Sequence, residues 1–240
     1  MTLHMIKLVP DMPQLIRWAE RERLLDRTHE DDLGYALHAA LRAAFGDLAP
    51  QPFALVRERV MTPELLGYAG HDAAVLRDHV QSFADPEVSA LIGLAGLAGK
   101  PMPERFATDR RLGFTLRARP TVRTDRNGDR ARVAERDAYR EPAPDAAADT
   151  PTRGEAYQSW LAARLAAGGA TIESLTIDGF RRSFTLRRNA ARKLCAVEGP
   201  DASFSGVLTV TDPELFAALL THGVGRHAAF GYGMLLLRPA

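Results

Sequence analysis

The chain has one cysteine, Cys195. No disulfide can form within it and no cysteine cluster can bind a metal. Cytoplasmic residence is the resulting expectation. No apolar run approaches the roughly 18–20 residues that a membrane helix needs, and residues 1–10 lack the long apolar core of a secretory signal. Net charge is scarce too: 31 Lys and Arg against 30 Asp and Glu leave +1. By itself that balance argues against a nucleic-acid partner. Paired histidines at metal-binding helical spacing are missing, as is an Asp/Glu triad, so the pattern points away from metal chemistry.

Apolar residues make up 46% of the 240, enough for a core and too many for a disordered chain. That length holds one large domain or two small ones. The charge is unevenly distributed. Residues 105–140 carry eleven Arg against five acids, and residues 181–193 carry five Arg and one Lys with no acid. These two stretches hold 17 of the 31 basic residues, so the remainder is acidic. A neutral chain with segregated charge can still present a positive face to phosphate. The alternative is a solvated arginine-rich surface.

Taken in order, residues 4–10 read as a strand closed by Pro10. Residues 12–25 have helical spacing. Asp31 and Asp32 can cap a helix over 33–45 that Gly46 ends. In that helix Leu33, Leu37, Leu41 and Ala44 form a buried stripe. Tyr35, His38, Arg42 and Phe45 form the adjoining one. A histidine flanked by a phenol and a guanidinium one turn away suits phosphodiester chemistry: histidine moves protons near neutral pH, and arginine holds phosphate. The bland alternative is that both rings merely edge a core.

Residues 52–60 and 64–69 read as strands, and 73–83 and 86–94 as helices. A last strand is expected within 101–107. The order is that of a βαββαβ unit. A second unit opens with a strand over 111–122, in which Arg117 and Arg119 alternate. A basic loop or hairpin containing Arg123 follows, then a flexible Pro/Ala/Asp-rich stretch over 141–150. A helix spans 154–167 and a strand 172–177. Residues 183–186 and 194–197 pair as a hairpin with Arg187, Arg188, Arg192 and Lys193 toward its tip. A strand over 204–211 leads to a helix that Asp212 caps and Pro213 starts.

The chain then enters a glycine-rich loop, Gly223-Val224-Gly225-Arg226-His227-Ala228-Ala229-Phe230-Gly231-Tyr232-Gly233, before a final apolar strand. Glycines permit φ > 0 and close backbone approach, and consecutive N–H groups can hold phosphate oxygens. A tight helix-to-strand connection without a ligand is the alternative. The loop does not follow a strand and open a helix, so a dinucleotide fingerprint does not apply.

This loop resembles the glycine-rich C-terminal loop of the repeat-associated RNA-binding superfamily of CRISPR systems. Residues 203–213 and Leu112–Pro120 resemble segments of CasE, the family of CRISPR precursor-RNA endoribonucleases of subtype I-E systems. Tyr35-Ala36-Leu37-His38 matches its Tyr-x-x-His. The resemblance is tight near 112–120 and 203–239 and loose elsewhere. It implies an α+β fold of two tandem ferredoxin-like (RRM-like) domains, 1–107 and 108–240. It implies a metal-independent, cofactor-free endoribonuclease in which His38 is the general acid/base with Tyr35 and Arg42. The products would be a 5′-hydroxyl and a 2′,3′-cyclic phosphate.

The expected RNA-binding set is Arg117, Arg119, Arg123, Arg187, Arg188, Arg192, Lys193, Gly223, Gly225, Arg226, His227, Gly231 and Gly233. The expected partners are the CRISPR repeat RNA hairpin and other Cascade subunits, a backbone subunit among them. Two departures stand out. The segment before the His38 helix is long for the family, and a lysine that some relatives carry after His38 is absent, with Arg42 as its substitute. The competing functions are a non-catalytic RNA-binding subunit of the same superfamily and a small-molecule enzyme or sensor on the same fold, since fold alone does not fix function.

Overall fold

The computed structural model describes residues 2–25, 33–56, 63–124, 134–139, 151–188 and 194–240. The Asp31/Asp32 cap, the 141–150 stretch, Arg192 and Lys193 lie outside the described residues, as do the side chains of Arg187 and Arg188.

The first half runs β1 (His4–Leu8), α1 (Met12–Arg21), α2 (Gly34–Phe45), β2 (Phe53–Val56), β3 (Glu64–Ala69), α3 (Ala73–Phe83), α4 (Pro86–Leu91) and β4 (Ala98–Pro101). Its strands form an antiparallel sheet in the order β2-β3-β1-β4. Side chains alternate across a strand, and here the two faces part cleanly. Ile6, Leu8, Phe53 and Leu65 pack with the helices in one core. Met5, Ala54, Leu66 and Tyr68 belong to the core of the second half. The fully buried Tyr68 seals the junction, its hydroxyl donating to the Leu235 carbonyl at 2.9 Å.

The strand expected within 101–107 lies earlier, at β4. Every residue of β4 is exposed, so it has no apolar alternation to reveal it. Gly99 sits inside this strand because a Cβ there would come within 3.0 Å of Ile6 Cδ1 and 3.2 Å of Ala73 Cβ.

The second half runs β5 (Arg111–Ala118), β6 (Thr121–Thr124), β7 (Ala134–Asp137), α5 (Arg153–Ala167), β8 (Ala170–Arg188), β9 (Leu194–Val210), α6 (Pro213–His222) and β10 (Leu236–Pro239). The sheet order β10-β5-β9-β8 repeats the first sheet's fourth-first-third-second plan, again antiparallel. Leu112, Phe114, Leu116, Phe204 and Leu208 meet Tyr157, Trp160, Leu161 and Leu165 of α5 and Phe216 and Leu220 of α6 in its core. A capping box at Thr152 and Glu155 starts α5.

Two sequence expectations change here. The strand over 111–122 stops at Ala118, and beyond Pro120 the chain starts a separate two-stranded ribbon, β6–β7. The short hairpin over 183–186 and 194–197 is the outer part of a much longer one. β8 and β9 stay paired from Ala170↔Val210 to Arg188↔Leu194, with register shifts at Ile172/Ser174 and Ile177/Gly179. Strand β5 supports β9 only over Ala202–Thr209, so the outer hairpin extends past the sheet.

Candidate active site

Helix α2 buries Ala36, Leu37, Ala40, Leu41, Ala44 and Phe45 against the first core. Phe45 therefore belongs to the buried stripe, not to the adjoining one. Tyr35 and His38 are half-buried at the edge of that core, and Arg42 is exposed. The Tyr35 and His38 rings face the second half of the chain. Phe230, in a 3-10 turn of the glycine-rich loop, lies edge-on to the His38 ring at 5.4 Å between centroids and at 6.0 Å from the Tyr35 ring. Tyr35 and His38 are 6.5 Å apart. Sequence reading pairs Tyr35 with His38 through helical spacing but gives Phe230 no role. No local pattern shows that residues 192 positions apart in the chain would meet.

Burial, and after it the nearby Arg42 charge, lower the His38 pKa from its ordinary value near 6.5. The ring is therefore mainly neutral at pH 7 and able to accept a proton. Arg42 itself is held by Asp47, Nη2 to Oδ1 at 2.8 Å, on the exposed side of the helix.

The glycine-rich loop owes its shape to close packing. Gly225 (φ +81°) leaves room for the Trp160 ring, which a Cβ would approach to 2.9 Å, and at Gly233 (φ +77°) a Cβ would approach the Val224 carbonyl oxygen to 2.7 Å. The amide of Gly223 donates to Leu219 O, that of Gly233 to Arg117 O, and that of Val224 to Gly233 O. Gly231 lies against Phe53 and Gly223 against Pro52, so the loop bridges both halves of the chain. Two of the four expected phosphate-binding glycines thus direct their N–H groups into the protein.

The expected arginines separate in the same way. Arg119 is buried, and its guanidinium donates to the carbonyls of Pro200 and Ser183 at 3.2 and 2.9 Å and to the Thr185 hydroxyl. It fastens β8 and β9 to each other and has no exposed surface to offer a ligand. Arg117 makes a two-pronged ion pair with the buried Asp201 at 2.9 and 2.8 Å and stacks on the Tyr232 ring at 4.5 Å. Arg181 adds a third bond to the same carboxylate. Burial raises the Asp201 pKa, but the hydrogen bonds and charges of Arg117 and Arg181 outweigh it and hold the carboxyl below its ordinary range. Arg123 is exposed on β6. Arg226 is partly exposed, 3.6 Å from Glu135. His227 is nearly buried, its Nε2 2.8 Å from Glu135 Oε1.

Together these features define an α+β protein of two sheet-based halves, with a mainly neutral histidine where helix α2 of the first half meets the glycine-rich loop of the second. Residues 3–239 match the CRISPR associated protein family, and the chain belongs to it. Over its full length the chain is similar to solved structures of that kind. It aligns with the CRISPR endoribonuclease Cse3 bound to 19-nucleotide RNA at 22% identity, covering all of both chains with a TM-score of 0.64. A Thermus thermophilus Cse3 bound to an RNA representing a pre-cleavage complex aligns at 22% identity and 0.63, again over all of both chains. The CRISPR-associated protein Cas6e from Escherichia coli K-12 aligns at 18% and 0.56, covering 99% of this chain and all of the other. No curated protein sequence matches significantly. At these identities the structures establish the fold, and the family reading drawn from residues 112–120 and 203–239 holds.

No helix among the described residues is long and apolar enough to cross a membrane.

Proposed function

We propose that the protein is a metal-independent endoribonuclease that recognises the CRISPR repeat hairpin and cuts precursor RNA into guide RNAs. The observation that carries this reading is the meeting of His38 and Tyr35 on α2 with Phe230 of the glycine-rich loop, in a chain whose full-length structural relatives include RNA-bound endoribonucleases. The two halves, 1–107 and 108–240, are tandem ferredoxin-like domains, and the cut is made where they meet.

RNA supplies its own nucleophile, the 2′-hydroxyl beside the scissile phosphate. A neutral His38 is suited to take the proton from that hydroxyl or to return one to the leaving 5′-oxygen. Tyr35 orients the reacting groups. Arg42, once drawn from Asp47 by a phosphate, offsets charge on the phosphorane. The products carry 5′-hydroxyl and 2′,3′-cyclic phosphate ends. Arg123, Arg226, Arg187, Arg188, Arg192 and Lys193 hold phosphates along the stem, for which A-form RNA favours backbone over base contacts. Arg117, Arg119, His227 and the four loop glycines shape the surface that receives it. The protein then stays on the cut hairpin as a Cascade subunit beside a backbone subunit, as the CRISPR RNA-guided surveillance complex among its structural relatives suggests.

Cleavage of a labelled repeat hairpin in chelator tests this. Wild type is expected to cut and His38→Ala to bind without cutting. Equal cutting by both removes His38 from the chemistry, and tight binding without cutting by either favours a non-catalytic RNA-binding subunit.

A further inference from the structure

Glu135 belongs to the ribbon β6–β7, an addition to the second half's sheet plan. The ribbon is firmly anchored on α5. Trp160 Nε1 donates to the Thr121 carbonyl at 3.0 Å, and Asp137 accepts from Arg153 and from the Tyr157 hydroxyl at 2.9 and 3.1 Å. On this base the Glu135 carboxylate reaches the glycine-rich loop. Its Oε1 accepts from Thr121 Oγ1 at 2.7 Å and from His227 Nε2 at 2.8 Å, and Arg226 Nε lies 3.6 Å from Oε2.

His227 has φ +65°, a conformation that residues other than glycine adopt only when their surroundings hold them there. Its carbonyl accepts from the Phe230 amide at 2.8 Å and closes the turn that carries Phe230. Its ring lies 6.1 Å from the Phe230 ring, and Phe230 lies against His38. A continuous line of contacts thus runs from the ribbon to the histidine of α2.

We propose that Glu135 is a positioning residue for the His38 site: by holding His227 it fixes the loop turn that presses Phe230 against the His38 ring. This rests on the reading of His38 as the catalytic histidine. Among the described residues, the groups that face His38 are Tyr35 and Arg42 from its own helix, with Asp47 restraining Arg42, and Phe230 from the loop. Of these, only Phe230 is under the control of Glu135. Loss of the carboxylate frees the turn, lets water reach His38 and loosens its alignment, so the chemical step slows even when RNA saturates the protein. Misplacement of a reacting group by about 1 Å is enough for a large rate loss.

The experiment follows the His38 ring by NMR titration in the RNA-free protein, and measures the single-turnover rate at saturating repeat hairpin and the Kd, for Glu135→Ala and Glu135→Gln. The expected result is a His38 midpoint that rises toward 6.5 in Glu135→Ala and a rate at saturating RNA about tenfold lower or more, the Kd serving to set saturation for each variant. Glu135→Gln, whose amide oxygen still accepts from His227, falls between. If Glu135→Ala does not fold, Glu135→Gln and Phe230→Leu carry the test in the same direction. An unchanged His38 titration in the folded variants overturns the proposal whatever happens to cleavage. A shifted titration with unchanged cleavage supports the packing link and overturns the catalytic reading of His38, so the two failures are separable.

Discussion

The α2 face and the base of the long hairpin make an instructive contrast. Both were expected to serve RNA, and both display arginine beside an aromatic ring. At the hairpin base the charges are committed to the protein: Arg117 and Arg181 share Asp201, and Arg119 is buried among backbone carbonyls. On α2 the polar groups sit at a seam. His38 is half-buried and mainly neutral, and Arg42 is restrained by an exposed aspartate. An exposed ion pair of this kind contributes little, about 0–1 kcal/mol, and yields readily to a phosphate. Arginine density along the sequence therefore marks two different things. One group is spent on holding the hairpin base together, and the other lies at the seam where the proposed chemistry is placed.

The sharpest way to break the contrast is at His38. His38→Ala is expected to leave the thermal melt unchanged and to lower single-turnover cleavage about 10²-fold or more, the scale of a lost general acid/base. Tyr35→Phe is expected to lose less. The mirror experiment is Arg119→Met. It leaves several buried acceptors without a donor and is expected to destabilise the protein by about 3 kcal/mol, measured by denaturant unfolding. A stable variant with weakened RNA binding would instead return Arg119 to the interface.

A subtler distinction lies farther out on the hairpin. Arg187→Ala with Arg188→Ala is expected to weaken hairpin binding and to flatten its salt dependence by about 0.7–0.9 in log–log slope per lost phosphate contact. The rate at saturating RNA should hold. An unaltered slope would remove this segment from the RNA site.

The smallest effect concerns pH. Burial raises the Glu135 pKa, but hydrogen bonds from His227 and Thr121 and the charges of His227 and Arg226 outweigh it and bring it down to about 2 from the ordinary 4.5. A carboxylate depressed on folding adds stability that is fully present above 4.5 and is lost as pH falls toward 2. Thermal melts between these limits should therefore show a shallower acid loss for Glu135→Gln than for wild type. Parallel curves would show that Glu135 is not linked to folding.

Much of this architecture was legible in residue patterns. The α2 stripe, the Tyr35/His38 pair and the proline-started α6 obey local rules that hold inside one element. What escaped was nonlocal. β4 has no buried side chain to set an alternation. The long hairpin runs through Gly179 and Gly199-Pro200-Asp201, residue types that ordinarily interrupt a strand. The register shift by Gly179 absorbs one irregularity, and at the other Arg119 bonds the Pro200 carbonyl while Arg117 and Arg181 neutralise Asp201. Arg119 keeps the alternation expected of it, but alternation does not tell an open face from one covered by an outer hairpin. Glu135 counted only as one acid in a basic stretch until the fold placed it on His227.

The central claim is that the RNA's own 2′-hydroxyl is activated at His38 without a metal. It is tested most directly by one measurement: single-turnover cleavage in excess EDTA of two repeat hairpins, one all-ribose and one with a single 2′-deoxy sugar beside the scissile phosphate. The account predicts that the wild-type protein cuts the first and binds the second equally well without cutting it. Cleavage of the deoxy hairpin, or cleavage of the ribose hairpin only after a divalent ion is restored with RNA folding controlled, would contradict it.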